Sequence, residues 1–408
     1  MGEREKKTSS MFSALFLILT FLLTFSAAEQ LQSQTKDQNP TPDRSGSSFL
    51  FPVQGDVSPH GYFYAIIYLG NPPKRYFLDI DTGSDLTWVQ CAAGPEAKLL
   101  KAPNNPYKPN KNALLLCKDP LCKFVDQPMN SPCNAQNDQC DYEVRYADYG
   151  SSLGVVVRDS FTLKFTNGTM YNPMLAFGCG YDQEFSGPFP APYVDGVLGL
   201  GNGKSSIVSQ LLGVGPTQNI IGHCFGGQGK GFLFIGDHLL PSALVWAPKL
   251  PNALNHYMAG PVDLLLGGTL GPKGLNVIFD SGSTYTYLNP QAYQATLALI
   301  KTALLKKPLS PVKDGNLPIC WKGVKPFHSI DAVKNYFSLL ALRFTNTKNT
   351  AFLLPPESYL IISVSISQDH FMFDSEKRGD FTSKMKLTNS LILVAVSWQC
   401  VLGDFEWS

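Results

Sequence analysis

The sequence predicts a mostly β protein, of sandwich or barrel class, in two related lobes. Three observations predict it. Short runs of aromatic and aliphatic residues, "YFYAIIYLG", "RYFLDID", "SFTLKF", "MLAFGCG", "GVLGLG", "GFLFIGD" and "LNVIFD", recur from Tyr62 onward. The chain's 35 Gly and 30 Pro supply the turns that punctuate such runs. A strand-like segment ending in an acid is written twice, about 200 residues apart: "FLDIDTGSD" around Asp81 and "VIFDSGST" around Asp280. That long-period repeat predicts two related lobes, each donating one carboxylate.

Each segment follows in order. Residues 1–28 read as a signal peptide, with Arg4, Lys6 and Lys7 ahead of an apolar run from Met11 to Phe25 and small residues Ser26 and Ala28 after it. The run is shorter than the roughly 20 residues that span a bilayer, so no stable membrane span is expected. Residues 29–50 are polar and rich in Pro, Ser and Gln, as a linker or short pro-segment is. Residues 51–247 form the first lobe with Asp81, and 248–408 the second with Asp280. Two helices are predicted. "SSIVSQLLG" (205–213) has Ser205 as cap and Ile207, Leu211 and Leu212 on one face. "NPQAYQATLALIKTALLKK" (289–307) has Asn289 as cap, Pro290 in the first turn, and Tyr293, Leu297, Ile300 and Leu304 on one face.

Charge excludes some classes of function. With 33 basic and 32 acidic residues and no basic run longer than two, nothing favours nucleic acid or an anionic membrane. Of nine cysteines, Cys117, Cys122, Cys133 and Cys140 crowd together without a histidine among them, which reads as a disulfide-tied loop of an oxidising compartment and not as a metal site. Asn167-Gly168-Thr169 is a glycosylation acceptor in that compartment.

The paired acids point to a definite chemistry. Two carboxyls about 3 Å apart cannot both ionise, so they share one proton. The charged partner acts as general base on a water and the protonated one polarises a peptide carbonyl, with no metal or cofactor required. Gly83 and Gly282 keep side chains away from the meeting point. Thr82 and Ser281 can bond across to the opposite loop, and Ser84 and Ser283 can donate to the outer oxygen of their own acid.

The chain resembles the pepsin-type aspartic endopeptidases, and within them the plant nepenthesin and nucellin group. The segments that carry the resemblance are "GYFYAIIYLGNPPKRYFLDIDTGSDLTWVQC", "YEVRYADYGSSLGVVVRDSFTL", "VDGVLGLG" and "FDSGSTYTYL". It implies a bilobal pepsin-like fold, Asp81 and Asp280 as the catalytic pair, Tyr146 as the flap tyrosine over the substrate, and "VDGVLGLG" as the strand beneath the first acid. It also implies protein or peptide substrates, a monomer, and an extracellular or vacuolar location. Two regions depart from the family. "AAGPEAKLLKAP" follows Cys91 where further cysteines are usual, which makes Cys91 the candidate odd thiol. Residues 364–408 do not match the family's closing strands, and "CVLGDF" (400–405) is the candidate remnant of the strand beneath the second acid. Two readings therefore stay open: an acid endopeptidase, or a weak or inactive relative that binds peptides or protein partners in its cleft.

Overall fold

The computed structural model describes residues 48–404, apart from short internal breaks and the stretches 313–318, 374–389 and 394–399. The signal peptide and nearly all of the linker expected from the sequence lie outside the described residues. The first strand, Phe49–Asp56, starts inside the stretch read as linker, because Phe49, Phe51 and Val53 alternate with exposed residues and bury against the sheet.

Every strand-like run named above forms a strand over most of its length. Tyr62–Leu69, Lys74–Asp81, Gly150–Lys164, Met174–Phe185, Gly196–Gly199 and Lys230–Ile235 join one 12-stranded sheet, and Leu275–Phe279 lies in a separate 6-stranded sheet. A third sheet has four strands and belongs to the second half of the chain. Two large cores follow the same division. One contains Val53, Ile67, Leu78, Ile80, Phe161, Phe177 and Leu211; the other contains Val262, Leu264, Val277, Leu297, Ile300, Trp321 and Leu342. The protein is thus mostly β and bilobal, and the repeated motif marks corresponding places in the lobes.

In both lobes the strand leading to the acid has a parallel neighbour. Lys74–Asp81 pairs with Gly196–Gly199, with Asp81 opposite Gly199. Leu275–Phe279 pairs with Ser390–Leu393, with Phe279 opposite Leu393. The second pairing corrects the sequence reading. The strand beside the second acid is the uninterrupted apolar run Ser390–Leu393, while Cys400–Asp404 runs antiparallel to Ile220–Phe225 at the end of the large sheet. In that register Cys400 lies opposite Cys224, which is disulfide-bonded.

The helices need smaller corrections. The first is Ile207–Val214, capped one residue later than expected by Ser206, whose hydroxyl accepts the Ser209 N–H. Ile207, Val208 and Leu211 are buried, but Leu212 is turned outward and 38% exposed. The second is Pro290–Leu304, with the Asn289 side chain accepting the Ala292 N–H at 2.9 Å. All four residues expected on its inner face are buried.

Besides the disulfide made by Cys224, three pairs are seen among the described residues. Cys117–Cys133 and Cys122–Cys140 tie the cysteine-rich loop. Cys91 pairs with Cys179 and is not the odd thiol. The reason is register: Trp88–Gln90 runs parallel to Met174–Phe185 with Val89 opposite Cys179, which brings the Cα atoms of the two cysteines to 5.2 Å. Among the described residues no helix is long and apolar enough to cross a membrane.

Candidate active site

The two acid loops meet where the lobes join. The Thr82 N–H donates to Ser281 Oγ at 3.0 Å, and the Ser281 N–H donates to Thr82 Oγ1 at 2.9 Å. Each hydroxyl then donates onward to the opposite strand, Thr82 to the Phe279 carbonyl (3.0 Å) and Ser281 to the Ile80 carbonyl (2.7 Å). Thr82 and Ser281 are both buried, so these four bonds are shielded from competing water.

The acids are held in matching ways. Asp81 accepts the Gly83 N–H on one oxygen at 2.8 Å and the Ser84 hydroxyl on the other. Asp280 accepts the Gly282 N–H at 3.1 Å and the Ser283 hydroxyl at 2.8 Å. The two carboxyls face each other across the joint, close enough that the charge of Asp280 acts on Asp81 and that a methyl on either loop's glycine would meet the opposite acid. Both glycines are required by space: a Cβ on Gly83 would lie 2.6 Å from Asp280 Oδ1, and one on Gly282 would lie 2.4 Å from Asp81 Oδ1. Burial, then the charge of Asp280, raises Asp81 to about 7, against the opposing bonds from Ser84 and Gly83. A carboxyl in this position holds a proton well above the ordinary carboxylate range, and the pair titrates as a unit.

Tyr146 lies at the tip of the hairpin between Asp141–Arg145 and Gly150–Lys164, closed by the Tyr146 N–H to Gly150 carbonyl bond at 2.8 Å. The ring is half-buried, but its hydroxyl is shielded. It accepts the Trp88 indole N–H at 2.6 Å. Sequence reasoning missed Trp88. The available signal was chemical: a buried indole needs an acceptor for its one N–H.

The strand beneath the first acid adds support. The Leu200 N–H donates to the Asp81 carbonyl and the Gly201 N–H to the Ser84 carbonyl, each at 2.8 Å. Asp85 caps the next turn by accepting the Gly203 N–H at 2.7 Å, and burial raises it to about 6. Asp79, two residues before Asp81, was also missed; burial, then Asp81, Asp148 and Asp280, pushes it well above the usual range. Asn167 is exposed in the turn after Lys164, with its Oδ1 accepting the Thr169 N–H at 2.9 Å.

These buried groups set a pH dependence of stability. Asp79, Asp81 and Asp85 bind a proton more tightly folded than unfolded. Their contribution is fully present below the unfolded value of about 4 and is lost as pH rises through the folded values. His223 acts in the opposite sense: burial lowers it to about 4, so its contribution is present above about 6.5 and lost as pH falls toward 4. Three acids oppose one imidazole. The melting temperature is expected to be higher at pH 5 than at pH 8, as thermal melts across that range will check.

The Xylanase inhibitor N-terminal family model matches residues 63–237. An aspartic proteinase of Oryza sativa subsp. indica is 42% identical over 331 residues, covering 78% of this chain and 79% of its own. The chain belongs to the plant pepsin-type aspartic proteinase family. Aspartic proteinase 36 of Arabidopsis thaliana is 31% identical over 271 residues, covering 61% of this chain and 55% of its own. Among solved structures, Basic 7S globulin from soybean superposes with a TM-score of 0.65 over 88% of this chain and 92% of its own, at 16% identity, which shows the shared fold.

Proposed function

We propose that the protein is an acid endopeptidase in which Asp81 and Asp280 activate a water against a peptide carbonyl. The observation that carries this reading is the facing pair of carboxyls, brought together by the crossed Thr82–Ser281 bonds and each held by the N–H and hydroxyl of its own loop. One shared proton leaves one carboxylate to accept a proton from water and one acid to polarise the carbonyl. Peptide bond cleavage then needs no covalent intermediate. Thr82, Ser281, Gly83 and Gly282 fix the separation of the acids, and Ser84 and Ser283 hold their outer oxygens. Tyr146, on its hairpin, closes over the substrate and excludes water. The disulfides support an extracellular or vacuolar site of action for a secreted monomer, with Asn167 as a glycan site.

A second reading is favoured by one asymmetry. The strand beside the first acid is "GVLG", whereas the one beside the second is "SLIL", without glycine, and Asp280 is more exposed than Asp81. A peptide-binding protein that does not cut would tolerate a looser second acid.

One experiment separates the two readings: hydrolysis of an unfolded protein by the purified chain from about pH 3 to 8, with a peptide mimic carrying a hydroxyl in place of the scissile carbonyl as inhibitor. Cleavage is expected in acid and is expected to fall away as pH rises through about 7, where the pair loses its shared proton. Binding of the mimic without cleavage at any pH would leave only the second reading.

A further inference from the structure

The strand Lys74–Asp81 carries a third acid that the mechanism does not use. Asp79 is two residues before Asp81, so both side chains leave the same face of the strand, about 7 Å apart at roughly 3.3 Å per residue. The Asp79 Oδ1 atom is buried and has no hydrogen-bond partner among the described residues. Burying a carboxyl oxygen without a partner is costly, and groups left in that state gather at sites where a ligand completes them.

The surroundings describe the missing partner. Asp79 lies opposite Tyr64 in the register, and the Tyr64 ring meets the Phe77 ring edge to face at 5.3 Å. Tyr62 stands beside Tyr64 at 6.4 Å. The charged groups acting on Asp79 are Asp81, Asp148 at the hairpin tip and Asp280, all acidic. No ion pair reaches it from a described residue. The same strand face already holds a cation against an aromatic ring, for the Arg75 guanidinium lies 5.7 Å from the Phe77 centroid.

We propose that Asp79 selects substrates with a lysine or arginine side chain adjoining the scissile bond, its carboxylate pairing with the cation while the aliphatic stem lies along Tyr62, Tyr64 and Phe77. This deepens the peptidase reading and rests on it only for the position of the substrate. A long basic side chain suits such surroundings because its methylenes cover aromatic surface while its head meets the acid. Arrival of the cation releases the proton that Asp79 holds in the empty cleft, so charge balances by loss of one proton to solvent.

The test uses two peptide mimics with a hydroxyl in place of the scissile carbonyl, identical except for lysine or norleucine at the side chain flanking the hydroxyl carbon. A second pair places the change on the other side. Calorimetry on the full chain at pH 5 is expected to show the lysine form bound about tenfold or more tightly at one of the two positions. It is also expected to show about one extra proton released with lysine when buffers of different ionisation enthalpy are compared. In Asp79→Asn, and independently in Asp79→Ser, the ratio of lysine to norleucine affinity is expected to fall to near one and the extra proton to disappear. Norleucine binding as well as lysine at both positions, or a lysine preference that survives both variants, overturns the proposal. So does failure of every mimic to bind. Hydrolysis of the matching peptides separates this idea from the peptidase reading. A lysine preference in binding without any cleavage defeats the peptidase reading and leaves Asp79 as the selector. Cleavage without preference does the reverse.

Discussion

Asp81→Asn is expected to reduce peptide hydrolysis by on the order of 10³-fold or more at every pH from about 3 to 7, and Asp280→Asn to do the same. An amide neither gives nor accepts the proton that the pair shares, and the remaining acid cannot take both roles. The double variant is expected to be little worse than either single one, because groups that act as a unit do not add. The loss should not reflect unfolding. Asp81 is buried and already favours its neutral form, so a neutral amide of the same shape is tolerated where a fixed charge is not. Melting temperature is the control, and at neutral pH it should stay level or rise. Tyr146→Ala is expected to lower turnover by less, since the ring orients substrate and shields the cleft without carrying a proton. Activity that survives unchanged in Asp81→Asn would remove the carboxyl pair from the mechanism.

Gly282→Ala is expected to cost activity on the order of 10²-fold, with Gly83→Ala close behind. Neither glycine has a backbone conformation that other residues avoid, so the effect isolates space. The added methyl of Gly282→Ala would lie 2.4 Å from Asp81 Oδ1 and 2.7 Å from its Cγ. The acid must move, and a displacement near 1 Å at reacting groups is enough for a loss of that size. Overpacking at a buried junction also costs about 1–3 kcal/mol of stability. Urea melts alongside kcat/KM will show both effects. A Gly282→Ala protein with full activity would mean that the loops are looser than the crossed hydrogen bonds require.

The sequence made much of this architecture legible because the relevant signals were local. Asp81 and Asp280 announced themselves through a repeat, and Asn289 and Pro290 through the chemistry of a helix start. What escaped depended on partners distant along the chain. Trp88 acquires its role only when Tyr146, 58 residues away, presents an acceptor. Cys91 was misread because its partner is 88 residues further on, brought close by strand register and not by spacing. Asp79 looked like one polar residue of a strand, and only the fold shows three further carboxyls around it. Near the other end, "CVLGDF" carried the right pattern for a strand beneath the second acid, but the apolar run Ser390–Leu393 occupies that edge. Local pattern identifies a strand and does not say which neighbour it takes.

The crossed bonds between Thr82 and Ser281 have a mechanical meaning. Four hydrogen bonds bind two short loops at one place, and each ends on the opposite lobe. Such a joint acts as a pivot. Rotation of one lobe against the other about a line through it moves the outer walls by many times more than it moves the centre. Small rotations of that kind would leave the spacing of Asp81 and Asp280 unchanged. Under the proposed peptidase reading, long and short peptides would then meet the same pair of acids.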